Sequence, residues 1–309
     1  MLESLVAALV SAFCYGVAAV MQAIAVRSAS HRTPAAPGEA GPGVDPGLVV
    51  RMLRQWPFVA SIGIDLIGFI GQLVALSRLP LFAVQAVIAA NLAVTAVFAA
   101  WLMHVRLSLR EWLAVTGVVV GVGLLGSSAG AQGATQVGFA FKLGLIVAVA
   151  GVAVAGFAAA RLPNVYRTPV VGAIAGLGYA VLAVSARILP GFSPAQLVKD
   201  PATYTLAAAG IVSFMLYATA LDGGSVTVAT AAVVLAETVP PAVVGVLLLG
   251  DSTRHGMEGI AALGFVLAVF CAVALARFGE ASENKAAQQA AQEHARTPVA
   301  LRADKVTDQ

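Results

Sequence analysis

Apolar residues run along this chain in long unbroken segments, without the two-residue alternation of a half-buried strand or the narrow stripe of a surface helix. Nine segments, approximately 4–26, 57–77, 82–103, 112–129, 137–160, 168–188, 202–221, 225–249 and 258–278, carry this pattern. Each has roughly the 17–25 residues that cross about 30 Å of hydrocarbon at 1.5 Å per residue. Most are rich in Ala, Val, Leu and Gly on all faces. A helix satisfies its own backbone in lipid, so each segment is predicted to be a transmembrane helix. The first segment starts at the N-terminus like a secretory signal. Its flank is Leu2-Glu3 rather than basic, however, and its length of about 23 residues exceeds the 7–15 of a signal core, so it reads as a retained span.

Composition agrees with lipid as the main solvent. Of 309 residues, 60% are hydrophobic and 11% charged, too few polar side chains to cover a water-facing surface. The formal net charge of +3 does not indicate nucleic-acid binding, because the basic residues fall between apolar segments and in the tail, where they set topology. With the N-terminus outside, the loops after segments 1, 3, 5 and 7 plus the tail hold 13 of the 18 Lys/Arg, which predicts a multi-pass cell-membrane protein with a cytoplasmic C-terminus. Cys14 and Cys271 each sit inside an apolar stretch, where a lone thiol packs as a small hydrophobe. Between the first two segments lie a Pro/Gly-rich polar loop and a stretch at 48–54 with the character of a short helix on the headgroups. The charged tail has too few large apolar residues for a core.

The two halves of the chain resemble one another weakly but in order. Gly16 and Arg27 match Gly176 and Arg187 at an offset of 160; Phe69, Ala75 and Leu76 match Phe214, Ala220 and Leu221 at 145; Gly117 matches Gly264 at 147. Segments 1–4 thus correspond to segments 6–9, and the unmatched fifth makes the spacing odd, so the second copy enters the membrane inverted. The expected fold is all-α and integral to the membrane: nine transmembrane helices forming two inverted four-helix repeats joined by a linker helix. Its divisions are a first repeat at 1–130, the linker at 131–165, a second repeat at 166–279 and a cytoplasmic polar tail at 280–309. Inverted repeats with a substrate path at their interface are an architecture of secondary transporters.

Two of the 15 acidic residues, Asp65 and Glu237, lie mid-segment. An ionised carboxylate at that depth costs about 2.5–3.5 kcal/mol on insertion scales, so it is expected to face the bundle interior, titrate or hold a cation. Asp65 shares a helical face with Gly68 and Gln72. Glu237 lies seven residues after Thr230 and three before Pro240-Pro241, whose missing donors and crowded rings predict a helix break that frees carbonyls. In the first copy the position near Glu237 falls at Asn91, with Thr95 one turn on and Gln85 nearer the helix start. Gln22, Gln72, Gln85 and Asn91 suit either a substrate site or interhelical hydrogen bonds worth about 0.6 kcal/mol each. Tyr15, Tyr179 and Tyr217 lie within segments, where tyrosines line cavities or fill cores; Tyr15 and Tyr217 join the candidate site. The spacings Gly117-x3-Gly121 and Gly172-x3-Gly176 read as helix packing. All four histidines lie in loops or the tail, so no His/Cys metal cluster is expected, and the sequence assigns no metal ligands. A Walker-type loop and a set of nucleophile, base and orienter are both missing, which argues against an ATP-driven pump or an enzyme; no cofactor is expected.

The run LSRLPLFAVQAVIAANLAVTAVFAAWLMHVRLSLREWLAVTGVVVGVGLL resembles the drug/metabolite transporter (EamA-like) superfamily, with its two linked helices, short polar loop and Gly-rich helix. ALDGGSVTVATAAVVLAETVPPAVVGVLLLGD repeats the pattern, and its Glu237 before prolines is similar to an acidic-Pro element of bacterial members. The resemblance implies two inverted halves that move solutes by alternating access. Ten helices are usual in that superfamily, and under the resemblance segment 1 would correspond to the second of them. Its nine-helix layout is similar to the branch containing NIPA-type magnesium transporters, which implies Mg²⁺ as a candidate substrate. That branch's acidic residue in the second helix would fall nearer Phe69 than Asp65, and its usual glutamate after the third helix is replaced around His104 and Arg106.

The sequence therefore predicts a permease for a small solute, with Glu237, and Asp65 second, binding a proton or cation at the midplane. Alternatives are a Mg²⁺ or other divalent-cation transporter, a non-transporting membrane scaffold, and a flippase for a lipid-linked substrate. As partners the reading admits the lipid bilayer, a small-molecule or cation substrate and a second copy of the chain as a homodimer, and no nucleic acid.

Overall fold

The computed structural model describes residues 2–32, 56–102, 107–134, 136–189, 193–221, 226–275 and 277. The polar loop and headgroup stretch before Trp56, His104 and Arg106, the side chains of Arg27 and Thr230, and the tail at 280–309 lie outside the described residues. The described chain is helical throughout: α1 Leu2–Arg32, α2 Trp56–Leu76, α3 Leu81–Ala89, α4 Asn91–Leu102, α5 Leu109–Ser128, α6 Phe139–Ala159, α7 Asn164–Arg187, α8 Pro194–Lys199, α9 Pro201–Leu221, α10 Val226–Leu247 and α11 Glu258–Leu275. Among the described residues, eight helical stretches are long and apolar enough to span a membrane, with α3 and α4 together making one of them. A shorter apolar stretch, Ala231–Leu247, lies within α10. The chain is thus a multi-pass helical membrane protein.

Side-chain size is distributed as in a lipid-solvated bundle. Phe13, Leu66, Ile70, Val154, Leu247, Leu263 and Phe270 are exposed, whereas Ala8, Ala12, Ala18, Ala175, Ala229, Ala268 and Ala272 are buried. Large apolar groups lose little by facing acyl chains, and small ones let helix backbones approach. α1 packs mainly on α2, and on α3 and α4; α7 packs on α9 and α10. A side-chain carbon on Gly16 would fall 2.7 Å from Val94 Cβ and 2.8 Å from the Asn91 carbonyl; one on Gly176 would fall 2.7 Å from Ala236 Cβ and 2.5 Å from the Val233 carbonyl. α5 and α11 meet antiparallel: Gly117 abuts Cys271, Gly121 abuts Ala268, and Leu124 abuts Gly264.

Helix ends follow local chemistry in most places. Ser108 and Glu111 form a capping box at the start of α5, with the Ser108 N–H donating to the Glu111 carboxylate at 2.6 Å. Pro80, Pro194 and Pro201 mark the starts of α3, α8 and α9. At the α8–α9 corner the Asp200 carboxylate accepts from Lys142 Nζ at 2.5 Å and from the Ala202 N–H at 2.9 Å. Burial works to raise that carboxyl, but these two donors outweigh it and hold it below the ordinary carboxylate range.

Two local expectations are corrected. The third segment is not one rod: it is interrupted at Ala90, where no Gly or Pro signals a break, as the chain passes from fully buried α3 to half-buried α4. The break expected at Pro240-Pro241 does not occur, because α10 runs continuously through both prolines while packed on α7 and α3. Their missing N–H groups still leave the Ala236 and Glu237 carbonyls without i+4 donors.

The turns after α2, α5, α7 and α10 gather at one end of the bundle, with the start of α1 beside them through Glu3 and Arg78, 3.8 Å apart. Residues 129–134 zip against 249–254 through Gly130 N–H to Ser252 O (3.1 Å), Ser252 N–H to Ala131 O (3.1 Å), Arg254 N–H to Ser128 O (2.9 Å) and Ala134 N–H to Leu249 O (2.6 Å). Beneath them lies the core cluster of Ala8, Ala12, Leu76, Leu81, Val84, Val184 and Leu249, drawn from both halves.

Candidate functional site

α1 and α2 run antiparallel with Ser11 level with Gly68, whose carbonyl accepts from the Ser11 hydroxyl at 2.7 Å. Side chains on a helix lean toward its N-terminus, so the long polar groups of α1 reach toward the end where the turns gather. Tyr15 Oη donates to Gln72 Oε1 at 2.7 Å, and Gln22 Nε2 donates to Asp65 Oδ2 at 2.6 Å. Asp65 belongs to the stripe Phe58, Ser61, Asp65, Gly68, Gln72, Ala75 that turns away from lipid-facing Leu66, Ile67 and Ile70. The Gly68–Gln72 face expected to accompany Asp65 is therefore its packing face against α1.

Glu237 stands on α10 about 200° around the helix, at 3.6 residues per turn, from both Leu235 and Val239, which face outward. It is half-buried on the inner side. Tyr15 from α1 and Tyr179 from α7 lie within electrostatic range of both Glu237 and Asp65, and Tyr217 from α9 within range of Tyr179. Both tyrosines of the second half also pack on the cluster of Val171, Ala175, Leu216 and Val233. Five helices thus bring two carboxylates and three phenols to the middle of the bundle. Among the described residues, Asp65 has the Gln22 amide as donor, whereas the Glu237 side chain has no hydrogen-bond or ion-pair partner.

The remaining sequence candidates sit differently. Gln85 is buried within α3, and Asn91 opens α4 with its carbonyl accepting from Thr95 Oγ1 at 2.8 Å; among the described residues neither side chain bonds to either carboxylate. Thr95 Oγ1 also donates to the Gly16 carbonyl at 3.2 Å, stitching α4 to α1. Among the described residues no three His, Cys, Asp or Glu side chains converge as a metal site.

Sequence reasoning missed a second polar cluster at the end where the turns gather. Arg187 Nη2 lies 3.1 Å from Asp251 Oδ1, with both side chains fully buried. Arg187 also donates to the Leu76 carbonyl (Nη1, 3.2 Å) and the Gly133 carbonyl (Nη2, 3.3 Å), and among the described residues its buried Nε has no acceptor. Asp251 Oδ1 accepts from the Gly133 N–H at 2.8 Å, and Oδ2 accepts from the Leu81 N–H at 2.5 Å, at the positive end of the α3 dipole. Gln132 Nε2 donates to the same Leu76 carbonyl at 2.8 Å. The available sequence signals were slight: Arg187 is one of the repeat matches, and Asp251 closes the second quoted run.

No known protein family, curated protein or solved structure matches this chain.

Proposed function

We propose that the protein is a secondary transporter of a small solute, with nine membrane spans in two inverted four-helix repeats and Glu237 as the group that takes up a proton or cation at the midplane. The observation that carries this reading is the Glu237 carboxylate itself: half-buried, on the inner side of α10 and without a partner among the described residues. A charge at that depth persists only where water, a proton or a ligand meets it.

Packing supports the repeat. Shifting the Gly117–Cys271 contact by 147 residues in each partner exchanges it for Gly264–Leu124, which also exists, while Gly121–Ala268 maps onto itself. Such a self-mating contact set follows from antiparallel packing and is compatible with a two-fold axis in the membrane plane. The matching environments of Gly16 and Gly176 pair Val94 with Ala236, so the counterpart of Glu237 is Thr95 rather than Asn91. In this reading the ninth span is α10, whose apolar stretch Ala231–Leu247 contains Glu237. Basic residues outnumber acidic ones in the loops opposite the gathered turns, which favours an outside location for the turns and the N-terminus.

The test begins with a thermal-shift screen of purified protein against amino acids, amphipathic amines and divalent cations, since a ligand of the folded state raises Tm. Compounds that shift Tm are then assayed for uptake into proteoliposomes at about pH 5 to 8. Uptake that varies with pH in the native protein and not in Glu237→Gln is the expected result. An unaltered pH profile in Glu237→Gln removes that residue from the mechanism, and the absence of flux for every compound sinks the transporter reading in favour of a scaffold.

A further inference from the structure

We propose that Arg187 and Asp251 form the lock of an outer gate, the contact that must open for the midplane site to be reached from the side of the α1 N-terminus. This rests on the transporter reading and adds to it how access is controlled. The pair is the hub of a closure made by turns that are far apart in sequence. Asp251 holds the start of α3 and Gly133, while Arg187 holds the end of α2 and Gly133. Gly245 and Gly133 leave no room for a side chain at this hub: a carbon on Gly245 would lie 2.8 Å from Asp251 Oδ2, and one on Gly133 would collide with the Leu249 carbonyl. Gln72, which binds Tyr15, lies one helical turn below Leu76, so the polar centre begins directly beneath the closure.

One feature distinguishes a lock from a permanent fastener. Among the described residues Arg187 Nε is buried without an acceptor, so the closed arrangement does not meet every donor of the guanidinium, and an opened one can offer it to water. The protein rests closed on this side.

The test replaces both native cysteines by alanine and introduces Gln72→Cys as a reporter, with exposed Ser77→Cys marking the side of the gathered turns. A membrane-impermeant maleimide is applied to intact cells from that side. Ser77→Cys is expected to label rapidly and Gln72→Cys slowly. Adding Asp251→Asn or Arg187→Gln should accelerate labelling of Gln72→Cys by about tenfold or more, as a gate equilibrium shifted toward the open state requires. Asp251→Glu should return it toward the slow rate. Should the hub variants fail to fold, Gln132→Ala, which removes one donor from the Leu76 carbonyl, serves instead and should accelerate labelling less. Unchanged labelling in a folded variant, even with a lowered Tm, makes the cluster a fastener and overturns the proposal. Accelerated labelling without flux of any solute keeps the lock and discards the transporter; pH-dependent flux with unchanged labelling does the reverse.

Discussion

Carboxylates inside a membrane bundle differ in what surrounds them, and here the two central ones differ sharply. Asp65 accepts a hydrogen bond from Gln22, while the Glu237 side chain has no partner among the described residues. Removing the donor should therefore hurt more than removing the acid. Gln22→Leu leaves a part-buried carboxylate unsatisfied, at a cost of about 1–3 kcal/mol. Asp65→Asn keeps an acceptor for Gln22 and abolishes the desolvated charge, so its effect should be smaller. Thermal melts of the two variants in one detergent check the order, and a larger loss in Asp65→Asn would mean that its charge, not its hydrogen bond, holds α1 to α2. The mid-segment position of both acids is a property of the sequence itself. Their partners are not, since Gln22 and Asp65 stand 43 residues apart with no spacing rule to join them.

Among elements, α5 and α11 depend most visibly on glycine. A side-chain carbon on Gly121 would sit 2.6 Å from the Ala268 backbone nitrogen, so Gly121→Val must push the two helices apart. Overpacking of this kind costs about 1–3 kcal/mol or more. On the opposite side Gly123 has open space around it, and Gly123→Ala should be neutral or slightly stabilising through helix propensity, by up to about 1 kcal/mol. Unfolding of both variants in a mixed-micelle denaturant series decides the matter; equal stabilities would show that α5 and α11 do not meet as described. The small-residue spacing of Gly117 and Gly121 signalled close packing from sequence, but not that its partner was α11. Likewise the Pro240-Pro241 pair suggested a break that packing on α7 and α3 suppresses, and the actual interruption at Ala90 had no residue to announce it.

Across the whole molecule, one buried ion pair unites the ends of four spanning helices and the turn after α5. Losing one partner of such a pair strands the other, at about 3–5 kcal/mol, whereas replacing both by apolar groups of similar size is milder. Arg187→Met and Asp251→Leu should each lower Tm strongly, and the double variant should recover part of the loss. A double variant as unstable as the sum of its singles would locate the stability in the backbone contacts of Asp251 to Leu81 and Gly133 instead of in the pair.

What the chain determined by itself is the class of fold: helices, their approximate extents, enough apolar length to span a membrane and two acids in mid-segment. These are local quantities, fixed by how many consecutive apolar residues occur and by what each costs to bury, and they add along the sequence. Tertiary structure decided which groups meet. It joined Gln22 to Asp65, set α5 against α11, kept α10 whole through its prolines and closed one end with Arg187 and Asp251, 64 residues apart. Those outcomes depend on helix register and on which small residues allow backbones to touch, and a hydrogen bond between distant residues leaves no periodicity in either partner's surroundings.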